Sequence, residues 1–79
     1  MLVNVLYFAS LRDAAGISGE TLETQAPDLR ALYAQLQARH GFALPVQRLR
    51  VAVDGAFADW GAPPVHGSEI AFIPPVSGG

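Results

Sequence analysis

Residues 28–41, DLRALYAQLQARHG, predict the main helix of this chain and with it the class of the fold. Asp28 belongs to the residue types that favour the position before a helix, and Gly41 is the type that most often ends one. A helix of this length is marginal in water by itself, so its apolar stripe must pack against a sheet. That stripe has the spacing i, i+3, i+4 and i+7 and consists of Leu29, Leu32, Tyr33 and Leu36.

Strand-like segments lie on both sides of this helix. Their β-branched and aromatic composition, with alternating polar residues, predicts strands at 2–8, 20–24, 49–55, 56–60 and 69–73, and a helical turn at 9–16. The third of these segments ends in Asp-Gly, which favours a hairpin turn. This order predicts an α+β fold: a mixed sheet with one main helix across one face, and the first strand parallel to the last.

Composition excludes several classes of protein. The chain has 79 residues, 51% of them hydrophobic, a net charge of −2 and no basic run, so we expect one domain that does not bind nucleic acid. No apolar run is long enough to span a membrane and no signal peptide begins the chain, so the expected location is the cytoplasm. Cysteine and lysine are both absent.

Side chains that could carry chemistry are few and scattered. His40 and His66 have no second histidine or carboxylate at ligand spacing, so we expect surface roles for both and no metal site. The serines lie in no nucleophile motif, and the glycines form no phosphate-binding loop. An autonomous active site is therefore not expected.

The last residues, 74–79, form a segment of unusual composition after the domain at 1–73. Two prolines stop strand pairing and stiffen the exit from the sheet. We expect the segment to be a slender probe that enters a narrow channel in another protein, although glycines also collect at ordinary frayed termini. Its members after the first proline are Pro75, Val76, Ser77, Gly78 and Gly79.

Three segments together resemble the MoaD family, the small sulfur-carrier subunits of molybdopterin synthase. They are VLYFASLRDAAG near the start of the chain, GSEIAF at 67–72, and the ending FIPPVSGG. The resemblance implies the ubiquitin-like β-grasp fold. One departure is Asp54, where relatives often carry asparagine before the turn.

What the resemblance implies falls mainly on Gly79. In that family an E1-like adenylating enzyme uses ATP to form a glycyl-adenylate, and a sulfur donor protein then supplies the sulfur of a C-terminal thiocarboxylate. The tail enters the large molybdopterin synthase subunit and donates the sulfur to a pterin precursor, with Gly78 as the slender neck. The resemblance implies that the chain itself binds no cofactor, acts as the sulfur-donating subunit of a transferase and assembles as a heterotetramer.

Alternation also predicts a surface for the partner. The sheet face opposite the helix should show Leu6, Phe8, Ala71 and Ile73, with Arg12 and Arg50 at its edge. An apolar patch with an arginine rim is typical of an interface. The alternative is that the chain's own loops bury Leu6 and Phe8.

Other functions remain open at this point. The thiamine-pathway (ThiS-like) carrier uses the same activation with a different acceptor, and further carriers serve cysteine synthesis or tRNA thiolation. A β-grasp interaction module with an inert tail is the alternative from a different class. Because the chain lacks cysteine, it cannot hold sulfur as a persulfide, which directs attention to the terminal carboxylate.

Overall fold

The computed structural model describes residues 1–75. In chain order the elements are β1 (Leu2–Tyr7), α1 (Ala9–Ala15), β2 (Gly19–Glu23), α2 (Leu29–His40), a 3-10 turn (Val46–Arg48), β3 (Arg50–Val53), β4 (Ala56–Ala58) and β5 (Glu69–Ile73). Every predicted element is present. The sequence pattern did not predict the 3-10 turn, which makes the third strand begin one residue later than expected.

The five strands form one sheet in the order β2-β1-β5-β3-β4. The first and last strands, β1 and β5, are parallel neighbours at its centre, which confirms the predicted pairing. The remaining pairs, β1–β2, β3–β4 and β3–β5, are antiparallel. The fold is therefore the predicted mixed sheet.

The core lies between α2 and one face of the sheet. The predicted stripe of α2 is buried, and it packs with alternate residues of the strands; the buried apolar side chains include Val3, Val5, Tyr7, Leu29, Leu32, Tyr33, Leu36, Val51, Ile70 and Phe72. Oδ1 of Asp28 accepts a hydrogen bond from the Ala31 N–H at 2.7 Å, and Gly41 ends the helix at φ 75°. Both predicted ends of the helix are confirmed.

The connection between β1 and α1 turns sharply at Phe8 and Ala9. Phe8 is still extended, at φ −124° and ψ 150°, whereas Ala9 has φ 50°, a left-handed conformation that costs an alanine about 1–2 kcal/mol. The reversal lets Leu11 enter the core while Phe8 stays 42% exposed. Burial of Leu11 offsets the strain at Ala9.

The conformation of the β3–β4 turn explains why an aspartate can stand at position 54. Asp54 adopts φ 50° and Gly55 φ 87°, the left-handed conformations of a two-residue hairpin turn. The Asp54 N–H donates to the Glu69 carbonyl at 2.8 Å, and Oδ1 of Asp54 accepts from the Glu69 N–H at 2.9 Å. An asparagine side chain could accept the same bond through its amide oxygen, so aspartate suits this turn.

A polar cluster joins β1, β2 and the end of α2. The Tyr7 hydroxyl and the His40 Nε2–H both donate to Oε2 of Glu20, at 2.6 and 2.7 Å, and Arg39 lies 3.7 Å from the other carboxylate oxygen. The prediction that His40 lies at the surface was wrong, because its side chain is only 14% exposed. His66 is exposed, and its Nδ1 accepts a hydrogen bond from the Leu2 N–H.

The ionisation of Glu20 follows from this cluster. Burial by itself raises the pKa of Glu20. The hydrogen bonds from Tyr7 and His40, together with the charge of Arg39, lower the pKa by more than burial raises it, so the pKa lies below its usual value. Burial and then the bond to Glu20 raise the pKa of Tyr7 well above its usual range, so its hydroxyl stays a donor.

We expect the folded domain to lose stability in acid through Glu20. The pKa of Glu20 is lower in the folded state than in the unfolded state. The ionised carboxylate therefore contributes fully to the free energy of unfolding above the unfolded-state pKa of about 4.3, and this contribution is lost as the pH falls through the folded-state pKa. Glu20→Gln should lower the free energy of unfolding by about 1.5–3 kcal/mol at pH 7, and by less at pH 3. Denaturant unfolding at both pH values measures this. Glu69→Gln, at an exposed carboxylate on β5, is the control; an equal loss for both variants would contradict the expectation.

Candidate functional site: the outer face of the sheet and the base of the tail

The sheet face opposite α2, called the outer face below, carries a continuous apolar row. Leu6 on β1 is opposite Ala71 on β5. Ala71 is in turn opposite Ala52 on β3, and Ala52 is opposite Phe57 on β4. Residues directly opposite each other in a sheet project from the same face. The predicted Leu6 and Ala71 are therefore brought together on one surface.

Phe8 and Ile73 extend this row toward the edge from which the tail leaves. Ile73 is the last residue of β5 and is half-buried, and Phe8 follows β1 in extended conformation with 42% of its surface exposed. The alternative in which loops bury both Leu6 and Phe8 does not hold, because Phe8 is exposed and Leu6 is half-buried. We call the six residues Leu6, Phe8, Ala52, Phe57, Ala71 and Ile73 the outer-face patch.

Two members of this patch were missed by the sequence interpretation. Phe57 is 61% exposed, and Ala52 is only 8% exposed although it lies outside the core cluster. The sequence did contain the information needed to find them. A two-residue turn at 54–55 pairs residue 53 with 56, and the next pair outward is residue 52 with 57. The patch is thus wider than predicted and has a floor of small side chains.

One of the two predicted arginines, Arg50, lies at the same edge of the patch as Ile73. Arg50, at the start of β3, is opposite Ile73, and its guanidinium carbon lies 3.8 Å from the centre of the Phe57 ring. Arg12 is exposed on α1, which begins where β1 ends. Within residues 1–75 the carboxylates of Glu20 and Glu23 make all the ion pairs, so neither arginine has a carboxylate partner in that part of the chain.

The base of the tail lies at this edge as well. Because β1 and β5 are parallel, the chain leaves β5 beside the start of α1. Pro74 is buried and Pro75 is exposed, so the chain reaches solvent at Pro75. The predicted tail residues Val76, Ser77, Gly78 and Gly79 lie outside the described residues, as does most of the segment predicted to start at 74.

Two other kinds of site, a metal site and a membrane-spanning helix, are not found in the described part of the chain. Residues 1–75 contain no group of three or more histidine, aspartate or glutamate side chains placed to hold a metal ion. None of the helices described is long and apolar enough to cross a membrane.

The sheet and its long helix define the fold class of this chain, and the sequence profile then gives its family. A five-stranded mixed sheet with parallel first and last strands, covered by one long helix, is the ubiquitin-like β-grasp fold. A ubiquitin-like protein from Caldiarchaeum subterraneum shares it with a TM-score of 0.55 at 19% identity, covering 99% of this chain and 100% of that one. The sequence profile of the ThiS family matches residues 5–79, and the chain belongs to that family.

Two curated relatives align along almost the entire chain. The molybdopterin synthase sulfur carrier subunit of Escherichia coli is 32% identical over 81 residues, covering 99% of this chain and 100% of the relative. The protein of the same name from Haemophilus influenzae is 35% identical over 81 residues with the same coverage.

Two solved structures are similar at 25% identity or above. The putative molybdopterin converting factor subunit 1 of Pyrococcus furiosus has a TM-score of 0.79 at 25% identity, covering 96% of this chain and 99% of that one. A complex of subunits 1 and 2 of molybdopterin-converting factor from Helicobacter pylori contains a chain with a TM-score of 0.70 at 26% identity, with both chains fully covered.

Proposed function

We propose that this protein is the sulfur carrier subunit of molybdopterin synthase. The observation that carries the proposal is the similarity, at 32–35% identity and over almost all of both chains, to two relatives of that name. Within the chain, the ending FIPPVSGG is one of the segments that resemble the same family. The protein acts in molybdenum cofactor biosynthesis and is a sulfur-donating subunit with no active site of its own.

The proposed chemistry takes place at the carboxylate of Gly79. A carboxylate is a poor electrophile, because its charge repels nucleophiles and its oxygen is a poor leaving group. Attack of this carboxylate on ATP, used by an E1-like adenylating enzyme, releases pyrophosphate and leaves a glycyl-adenylate. Hydrosulfide supplied through a sulfur donor protein then attacks the acyl carbon. A C–S bond forms as the bond to AMP breaks, and the product is a thiocarboxylate that can donate its sulfur to the pterin precursor.

The proposed partner is the large molybdopterin synthase subunit, and the proposed location is the cytoplasm. Two observations support a docked assembly. The outer-face patch leaves Phe8 exposed beside the base of the tail and Phe57 exposed farther across the same face, on β4. The similar chain from Helicobacter pylori occurs in a complex with its subunit 2. Docking through the patch would direct Pro75 and the residues after it, Val76, Ser77 and Gly78, into the partner. A heterotetramer of two carriers on a dimeric large subunit is the proposed assembly.

A second candidate is the thiamine-pathway carrier, which the ThiS family match favours. It shares the activation of Gly79 and differs only in the acceptor of the sulfur. The two candidates are therefore separated by the acceptor and not by the loading step.

Loading and transfer are tested in two steps. The purified chain is incubated with ATP, the E1-like enzyme and a sulfur donor, and intact mass should show one sulfur in place of one oxygen. The loaded chain is then mixed with the large subunit and the pterin precursor, and dithiolene product is measured. A chain that gains no sulfur contradicts the carrier function, and a loaded chain that supplies only thiazole synthesis establishes the second candidate.

A further inference from the structure

We propose that the stack of Arg50 on Phe57 is a specificity element that takes a carboxylate of the large subunit at the rim of the outer-face patch. The proposal rests on the proposed function, since it names a feature of the same docking surface. It adds a defined chemical requirement on the partner: an aspartate or glutamate placed next to the apolar segment that covers the exposed part of the outer-face patch.

The position of the stack follows from the register of β3 and β4. Phe57 lies opposite Ala52, and Arg50 precedes Ala52 by two residues, so all three project from the outer face. Ala52 and Ala71 are small and lie side by side, with Leu6 on one flank and Phe57 on the other. Ala52 is only 8% exposed, so its neighbours already shield most of it, and the exposed Phe57 ring with the guanidinium forms a wall along this side of the patch.

The contact orients the guanidinium without using its donors. The guanidinium carbon of Arg50 lies 3.8 Å from the ring centre of Phe57, close enough for a favourable cation–π contact. An arginine that stacks on an aromatic ring keeps its N–H groups along its edge, where they can bind a carboxylate through two hydrogen bonds. Because the ring already restricts the side chain, less conformational entropy is lost on binding.

Arg50 has no carboxylate partner among residues 1–75. The charged cluster around Glu20 differs, because its members pair with one another. Glu20 accepts from His40 and lies near Arg39, whereas no ion pair of Arg50 occurs in the described chain. An exposed ring beside an unpaired arginine fits a partner that combines an apolar segment with an acid. The net charge of −2 disfavours a nucleic acid or an anionic membrane as the occupant of this surface.

The test measures binding of the carrier to the isolated large subunit by calorimetry at low and high salt. Arg50→Gln should weaken binding about tenfold at low salt and flatten the salt dependence, since it removes a rim charge. Arg50→Lys should bind more tightly than Arg50→Gln but less tightly than the natural chain. An ammonium group keeps the charge, but it cannot stack flat on the ring or donate two parallel hydrogen bonds to one carboxylate. Phe57→Leu keeps an apolar side chain but should weaken binding about threefold by releasing the guanidinium.

Two further variants make the result decisive. Arg30→Gln removes an exposed arginine from α2, on the other side of the sheet, and should bind within about twofold of the natural chain. In the double variant Arg50→Gln/Phe57→Leu, the loss of binding free energy should be smaller than the sum of the losses in the two single variants, because both substitutions remove the same stack. Far-UV spectra establish that every variant is folded.

The outcomes separate this proposal from the proposed function. If the natural chain binds the large subunit and Arg50→Gln binds as well as Arg30→Gln, the stack is not a specificity element and the sulfur-carrier function is unaffected. Full recovery by Arg50→Lys would also overturn it, because charge alone would then suffice. If the natural chain neither binds the large subunit nor gains sulfur, the proposed function fails and this proposal fails with it.

Discussion

Addition of one alanine after Gly79 is expected to abolish sulfur loading while leaving the stability of the domain almost unchanged. The extension converts the proposed reactive carboxylate into an internal amide, which adenylation cannot use. Activation of the new end would place a methyl group at the reacting position, and a misplacement of about 1 Å can cost on the order of 100-fold in rate. Stability should not change, because the core cluster lies within residues 3–72.

The matched control for this extension is Gly78→Ala. It adds the same methyl group but leaves the reactive carbon at the end of the chain, so we expect slower transfer of sulfur in the complex and normal loading. Intact mass measures loading, and dithiolene formed per carrier measures transfer. An extended chain that gains sulfur and supports full turnover would show that Gly79 is not the working group.

A charge in the outer-face patch, at the end next to the tail, is expected to have the second largest effect. Phe8→Asp and Ile73→Asp should each weaken binding to the large subunit about 100-fold or more, since a carboxylate must lose its water on docking against apolar surface. Phe8 is already 42% exposed, so the free domain should tolerate the change at that position. Calorimetric titration of the large subunit measures the loss.

Val65→Asp is the control for a charge on an exposed apolar residue. Val65 is 58% exposed but belongs to the loop before β5, at the opposite end of that strand from the tail, so binding should be close to normal. Far-UV spectra of the free variants give the structural check. If Phe8→Asp unfolds the domain, the side chain belongs to the core; if it folds and binds normally, the patch is not the interface.

The elements and their faces could be predicted from sequence because local rules determine them. The helix stripe, its cap at Asp28 and its end at Gly41 depend on neighbours within a few residues, as does the alternation that exposes Phe8. The family resemblance was also local, since it rested on short segments near the two ends of the chain. The family match over residues 5–79 agrees with it.

The features that were missed depend on contacts between distant residues. His40 is held by Glu20, twenty positions earlier in the chain, and its helical position alone indicated a surface side chain. The wall formed by Arg50 and Phe57 requires the register across the turn, and a cation–π contact has no signature in a one-dimensional pattern. The roles assigned to the tail and to the interface residues stay predictions that the experiments above decide.

The central position of the last strand has a consequence for how the protein is made. β5 separates β1–β2 from β3–β4, so a chain that lacks residues 69–73 retains only two separate two-stranded ribbons. Such ribbons are at best marginally stable, and the sheet can close only after almost the whole domain has left the ribosome. Prematurely terminated products should therefore stay unfolded and be degraded by proteases. The pool of folded molecules is thereby restricted to chains that carry the strand from which the tail extends.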